Sequence, residues 1–385
     1  MTFFRLLLRT VQYHRQSSIA VLLGVMIATA VICGALIVGD SVRESLRLMT
    51  LARLGQIDHA LQSPRFFREE LSTDLIKLPQ FQTDFTEAAP AISLVCGLQH
   101  AAGAKGGVTP GAGADMTRAG KVNLFGIDDR FWKLTDHAEY VPPIDNEVVL
   151  SHRVAEQLSA AVGDDVSLWL EIPSTVPRES LLGKREAGTL QLTLKVKSIL
   201  PEALGLGRLG LRPNQQLPLN AFVALKTLQD ALKLNEVKPS FRDRAGAPAR
   251  INTLFVAGRT DAGRSASGAE HLTTMLSTTL QLRDLDLRIV DHEQRGYFAL
   301  ESFRMILEDQ VADLALEMAA ERDVPTSPAY VYLANELSTA KSDKTFSMYS
   351  VIAGLDFQDK PPFGPYEFIG PASKVPLAEN EIVIN

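Results

Sequence analysis

The residues of this chain that could do chemistry are few, and their neighbours do not support them. Gly205-Leu206-Gly207-Arg208-Leu209-Gly210 spells the G-x-G-x-x-G spacing that lets a backbone approach a pyrophosphate. A dinucleotide cradle also needs a tight strand-to-helix turn that sets the phosphate on a helix N-terminus. Here Pro201 intervenes after the preceding strand and Arg212-Pro213-Asn214-Gln215 follows, which reads as loop. No G-x-x-x-x-G-K-[ST] occurs, so ATP-driven work would need a separate ATPase. Asp291-His292-Glu293 is the one dense cluster of metal-ligating types, but consecutive strand residues point to opposite faces. None of the seven histidines forms H-E-x-x-H, and His152 and His292 are lone residues beside expected strands. Ser180 and Ser302 lack a G-x-S-x-G setting. The chain is read as a non-enzyme with no catalytic residue, cofactor site or metal site.

The element that must position everything else is apolar. Residues 17–39 carry no charge and are long enough as a helix to cross a bilayer, with Ile19–Val38 as the span. Arg5, Arg9 and Arg15 precede it, with no acidic residue before Asp40, and this excess of positive charge predicts a cytoplasmic N-terminus. A cleaved signal would have a shorter apolar core and an Ala-x-Ala-like site, whereas Leu36-Ile37-Val38 runs directly into Gly39-Asp40-Ser41. A buried core helix would show one apolar stripe and not an apolar surface all round.

On either side of the span the pattern is amphipathic. In the leader 1–16, Arg5, Arg9, Gln12 and Gln16 oppose Phe4, Leu7, Leu8 and Val11, which reads as an interfacial helix or as a frayed basic leader. After the span, Ser41-Val42-Arg43-Glu44 fits a capping box, so within the stalk 40–57 a second helix is expected to begin there and run to about Leu54, its continuity with the span being left open by the sequence. Val42, Leu46 and Met49 share one of its faces, and Glu44 can pair with Arg47.

Some 345 residues follow the anchor, about two domains' worth. Apart from the three leader arginines the chain has 36 Lys+Arg against 45 Asp+Glu, which argues against a nucleic-acid partner. Cys33 lies in the span and Cys96 in a strand-like stretch, so no disulfide framework exists.

From about Ala89 the texture is short β-rich runs: 91–98, 121–127, 147–151, 166–172, 190–200, 221–225, 251–257, 287–290 and 329–333. Helical stretches at 153–161, 226–234, 269–281 and 308–322 alternate with them, so the expected class is α+β, with a mixed α/β extracytoplasmic region 58–385 of about two subdomains. Loops are expected at 101–120, 173–188 and 237–250.

Residues 141–151, Val-Pro-Pro-Ile-Asp-Asn-Glu-Val-Val-Leu-Ser, align without gaps to residues 375–385, Val-Pro-Leu-Ala-Glu-Asn-Glu-Ile-Val-Ile-Asn. The first copy runs on through a helix and a Gly163-Asp164 turn to about residue 172. The match is either a coincidence or the start of a second module that the chain does not complete. An uncovered terminal strand edge favours the second reading.

A basic leader, one span, a stalk and a large mixed α/β region together resemble the N-terminal part of MacB/FtsX-type ABC transporter permeases. The stretch Asn146-Glu147-Val148-Val149-Leu150-Ser151, then Arg153-Val154-Ala155 and Val162-Gly163-Asp164, is similar to that family's periplasmic core-domain signature. Residues 177–183 and 211–216 are similar to segments of its large-permease branch. The resemblance implies a fragment of a permease subunit in a bacterial inner membrane. Its partners would be a cytoplasmic ABC ATPase, a second permease subunit and membrane lipid, and its work would be the mechanical coupling of ATP use to an extracytoplasmic domain. A single-span protein whose outer domain binds a ligand or partner is the alternative reading. A membrane-tethered hydrolase is a third, and it lacks motif support.

Overall fold

The computed structural model describes residues 3–101, 116–134, 141–171, 189–201, 205–211, 217–238, 246–304, 306–339, 342–358 and 360–366. The chain divides into two compact units, the first running to Leu280 and the second beginning at Gln281.

Two helices open the first unit, α1 (Phe3–Tyr13) and α2 (Arg15–Leu54), separated at His14. At the helical rise the 40 residues of α2 extend about 60 Å. The helix start expected at Ser41 is absent, because α2 passes through Gly39, Asp40 and Ser41 without a break. Gly and Asp in a helix interior cost about 1 kcal/mol or less each, a smaller penalty than ending one helix and nucleating another. Span and stalk are therefore one rod. The expected Glu44–Arg47 pair forms at 3.7 Å, on the solvent side.

Beyond the rod come β1 (His59–Arg68), α3 (Glu70–Ile76), α4 (Pro79–Asp84), β2 (Phe85–Ala101), β3 (Met116–Ile127) and α5 (Asp129–Lys133). Then follow β4 (Glu147–Ser151), α6 (His152–Leu158), β5 (Asp165–Glu171), β6 (Thr189–Leu200), a 3-10 turn at Gly205–Arg208, β7 (Asn220–Ala224) and α7 (Leu225–Leu232). β8 (Arg250–Gly258), α8 (Asp261–Arg264) and α9 (Ala266–Thr279) complete the unit. The loop expected over 101–120 is shorter than its composition suggests, since the β2–β3 ladder continues as far as the Ala101–Met116 pair. Of the other expected loops, 173–188 lies outside the described residues, and 237–250 is tied by an isolated bridge between Val237 and Ala247.

The eight strands form one sheet in the order β1-β8-β2-β3-β7-β4-β6-β5, and β5 pairs again with the far half of β2. Six strands thus close into a ring, which removes two free edges. The central strands are buried on both faces, and alternate residues enter different cores. Val148 and Leu150 of β4 join the larger cluster, roofed by residues of α3, α6, α7 and α9, while Val149 between them faces the second cluster. On β7 the same division separates Ala221 and Val223 from Phe222.

The second unit holds the hairpin β9 (Leu287–His292) and β10 (Tyr297–Ser302), then α10 (Asp309–Ala320) and a long ribbon of β11 (Ala329–Thr339) with β12 (Ser342–Leu355). α10 buries none of its residues.

Candidate functional site

α2 ends where its polypeptide enters the second core cluster. Gly55, just past the last turn, has a positive φ (+61°, with ψ −124°), backbone that favours glycine, and a side chain there would be strained. Leu54, in the last turn, packs against the cluster, and Ile57 is buried within it. The backbone fixes this entry at three points. Gln56 N–H donates to Leu134 O at 3.2 Å, Ile57 N–H to Leu54 O at 3.1 Å, and Asp58 N–H to Val256 O of β8 at 3.0 Å. The Asp58 carboxylate then accepts from Gly258 N–H at 2.8 Å, so a polar clasp closes over the apolar contact.

Aromatic rings form the floor. Phe125 and Phe222 stack at 5.4 Å, Phe131 lies 5.3 Å from Phe255 and 6.2 Å from Phe222, and Trp132 lies 6.3 Å from Phe222. Each ring buried here contributes about 1.5–3 kcal/mol, and each favourable ring pair adds about 0.5–1.5 kcal/mol. None of these rings stood out in the sequence. The signal was present in the uninterrupted apolar runs around Phe222 and Phe255, the mark of strands buried on both faces.

The glycine pattern at 205–210 belongs to this same junction. Its 3-10 turn lies against the end of α2, with Leu206 and Leu209 in the second cluster and the carbonyls of both residues accepting from the Asn220 side chain at 3.3 and 2.8 Å. A methyl group on Gly207 would meet Pro201 O at 3.0 Å, so that glycine allows close packing. Among the described residues no helix lies between the turn and β7.

The core-signature residues come together away from the junction, around β4 and β6. Asn146 O accepts from Lys195 N–H at 2.8 Å. The Glu147 carboxylate accepts from Lys197 Nζ at 2.6 Å and from Ile144 N–H at 2.9 Å, and these bonds hold its pKa below the usual carboxylate value. Gly163, at φ +96°, donates to Val196 O at 2.8 Å. Asp164 accepts from Ala161 N–H at 2.8 Å and lies 3.5 Å from Nε2 of the buried His100. These four residues fasten a turn to the ring of strands.

Arg5 and Arg9 lie on α1, and Arg15 is the first residue of α2. Ile19 and Val38 sit on the exposed surface of α2, whose segment Arg15–Leu48 is the one helix among the described residues long and apolar enough to cross a membrane. Asp291 and His292 end β9, where the imidazole packs on Tyr297 at 4.7 Å. Among the described residues no group of three or more His, Cys, Asp or Glu side chains is placed to hold a metal ion. Residues 177–183, 212–216 and 375–385 lie outside the described residues.

The solved structures similar to this chain include the following two. The periplasmic region of MacB from Actinobacillus actinomycetemcomitans covers 67% of this chain and 84% of its own length at 11% identity, with a TM-score of 0.30. A domain assigned to a permease of Porphyromonas gingivalis covers 62% and 84% at 12% identity, with a TM-score of 0.27. No family model and no curated protein matches the chain.

Proposed function

We propose that this chain is a permease-type subunit of an ABC transporter, in which α2 carries motion between the cytoplasmic face of a membrane and an extracytoplasmic domain. The observation that carries the reading is the unbroken helix from Arg15 to Leu54, ending inside a packed aromatic cluster. A flexible tether would suffice for a protein that only displays a binding domain. A rod with a clasped, buried end turns and shifts together with what it holds. The resemblance of Asn146–Ser151 and Gly163-Asp164 to the periplasmic core signature supports the same reading, as does the positive leader, which sets the N-terminus in the cytoplasm. The chain's partners are then a cytoplasmic ATPase, a second permease subunit and surrounding lipid, and the membrane is a bacterial inner membrane.

The test is purification of the tagged chain from its own membranes. A P-loop ATPase should co-purify, and inserting two glycines after Leu54 should uncouple its ATP turnover from the extracytoplasmic domain while leaving that domain folded. Absence of an ATPase from the purified complex, or turnover indifferent to the insertion, would favour the single-span binding protein.

A further inference from the structure

The ribbon of the second unit repeats the hairpin of the first. In the first unit Pro90-Ala91 opens the paired stretch and Gly126-Ile127-Asp128 closes it; in the second, Pro328-Ala329 and Gly354-Leu355-Asp356 stand in the same places. The pairing agrees residue by residue over six positions. Ala91 faces Ile127 and Ile92 faces Gly126, as Ala329 faces Leu355 and Tyr330 faces Gly354, and so on to Cys96 with Val122 and Ala334 with Ser350. The next residue on the returning strand is left-handed in both, Lys121 at φ 56° and Tyr349 at φ 57°, an uncommon conformation for a residue with a side chain. Each hairpin also follows a strand and a helical segment, β1 with α3 and α4 in one case and β10 with α10 in the other.

The two copies differ in their covering. In the first unit β7 pairs parallel along the edge of β3. The helix that follows it, α7, then seats Leu228 over Gly126, where an added Cβ would lie 2.8 Å from the Leu228 side chain. In the second unit both faces of the ribbon are apolar and open: Tyr330, Val331, Phe346, Met348 and Val351 are all more than half exposed. Among the described residues a Cβ on Gly354 would meet nothing nearer than Tyr330 O at 3.8 Å, so none of them demands a glycine there. The stretch 345–355 also carries no charge and no proline, the usual guards of a strand edge.

We infer that β11 and β12 are the base of a second core module, and that its open face is the docking site for a polypeptide strand–helix segment. That segment would be a short apolar strand parallel to β12, followed by an amphipathic helix with a large aliphatic side chain seated over Gly354. The pattern is that of β7 and α7. The corresponding segment of a second copy is already taken up in that copy's own first unit. An acyl chain would need no glycine at 354 and no free strand edge.

The test places the photo-crosslinking residue p-benzoylphenylalanine at Tyr330, beside Gly354, in the chain in its native membrane. The expected product joins Tyr330 to a helix that directly follows an apolar strand, and Gly354→Leu should cut its yield at least tenfold. In the purified chain the same substitution should leave the melting temperature unchanged, which separates lost docking from lost folding. Crosslinks to lipid alone, to the same ribbon of a second copy or to nothing would overturn the inference. So would a yield that Gly354→Leu does not change.

Discussion

The backbone N–H of Gln56 donates to the carbonyl oxygen of Leu134 at 3.2 Å, joining the residue just beyond the apolar rod to the residue that caps α5. The same α5 carries Phe131, which is fully buried between Phe222 and Phe255. The end of the rod is therefore tied to the aromatic floor through one short helix, and the floor is part of three strands of the sheet.

Phe131 is the keystone of that floor. Phe131→Ala should lower stability by about 3–5 kcal/mol, because the site is walled by strands that cannot collapse into the cavity. Val95→Ala, on an exposed strand position, should stay within about 0.5 kcal/mol. Urea unfolding of the two variants checks this, and a loss below about 1 kcal/mol for Phe131→Ala would mean that the cluster is not packed as described.

Burial pushes the Cys96 thiol up to about 12. Cys96 should therefore resist thiol reagents at pH 8 in the folded chain and react once urea unfolds it. The unfolded thiol ionises near its ordinary value while the folded one stays neutral, so the native state loses stability as pH rises from about 8.5 toward 12. Cys96→Ser should flatten that alkaline slope, as read by unfolding at stepped pH.

Glu147 behaves in the opposite sense. Its folded pKa is lowered by the Lys197 hydrogen bond and the Ile144 N–H, so its contribution is present above the unfolded carboxylate pKa and is lost as pH falls through the folded one. The side chain is about one-third exposed, and solvent limits the contribution to about 1 kcal/mol or less. Glu147→Gln should be slightly less stable at pH 7 and lose less on going from pH 5 to pH 3. Equal acid slopes for both proteins would show that the pair does not form.

The strands and longer helices were legible where the chain alternates or runs apolar, as at Glu147–Ser151, which the structure reproduces at both ends. The rod was legible as a span, yet its continuity was hidden because Ser41 and Glu44 spell a helix start that costs little to ignore inside a helix already formed. β1 was missed since Ser63-Pro64-Arg65 looks like a turn; the structure keeps it as an irregularity in the register with β8 at the sheet's edge. The aromatic junction was missed for a different reason. Phe125 and Phe131 are far in sequence from Phe222 and Phe255, and only the fold brings the two pairs together under the end of α2.

The central claim is that α2 and the ring of strands move as one body. Spin labels at Val42 on the rod and Val162 on the core, both exposed, would report it in the full chain in a lipid bilayer with Cys33 replaced by serine. The account predicts a single narrow distance distribution by pulsed electron resonance, which broadens when two glycines are inserted after Leu54. A broad distribution in the uninterrupted chain would contradict it.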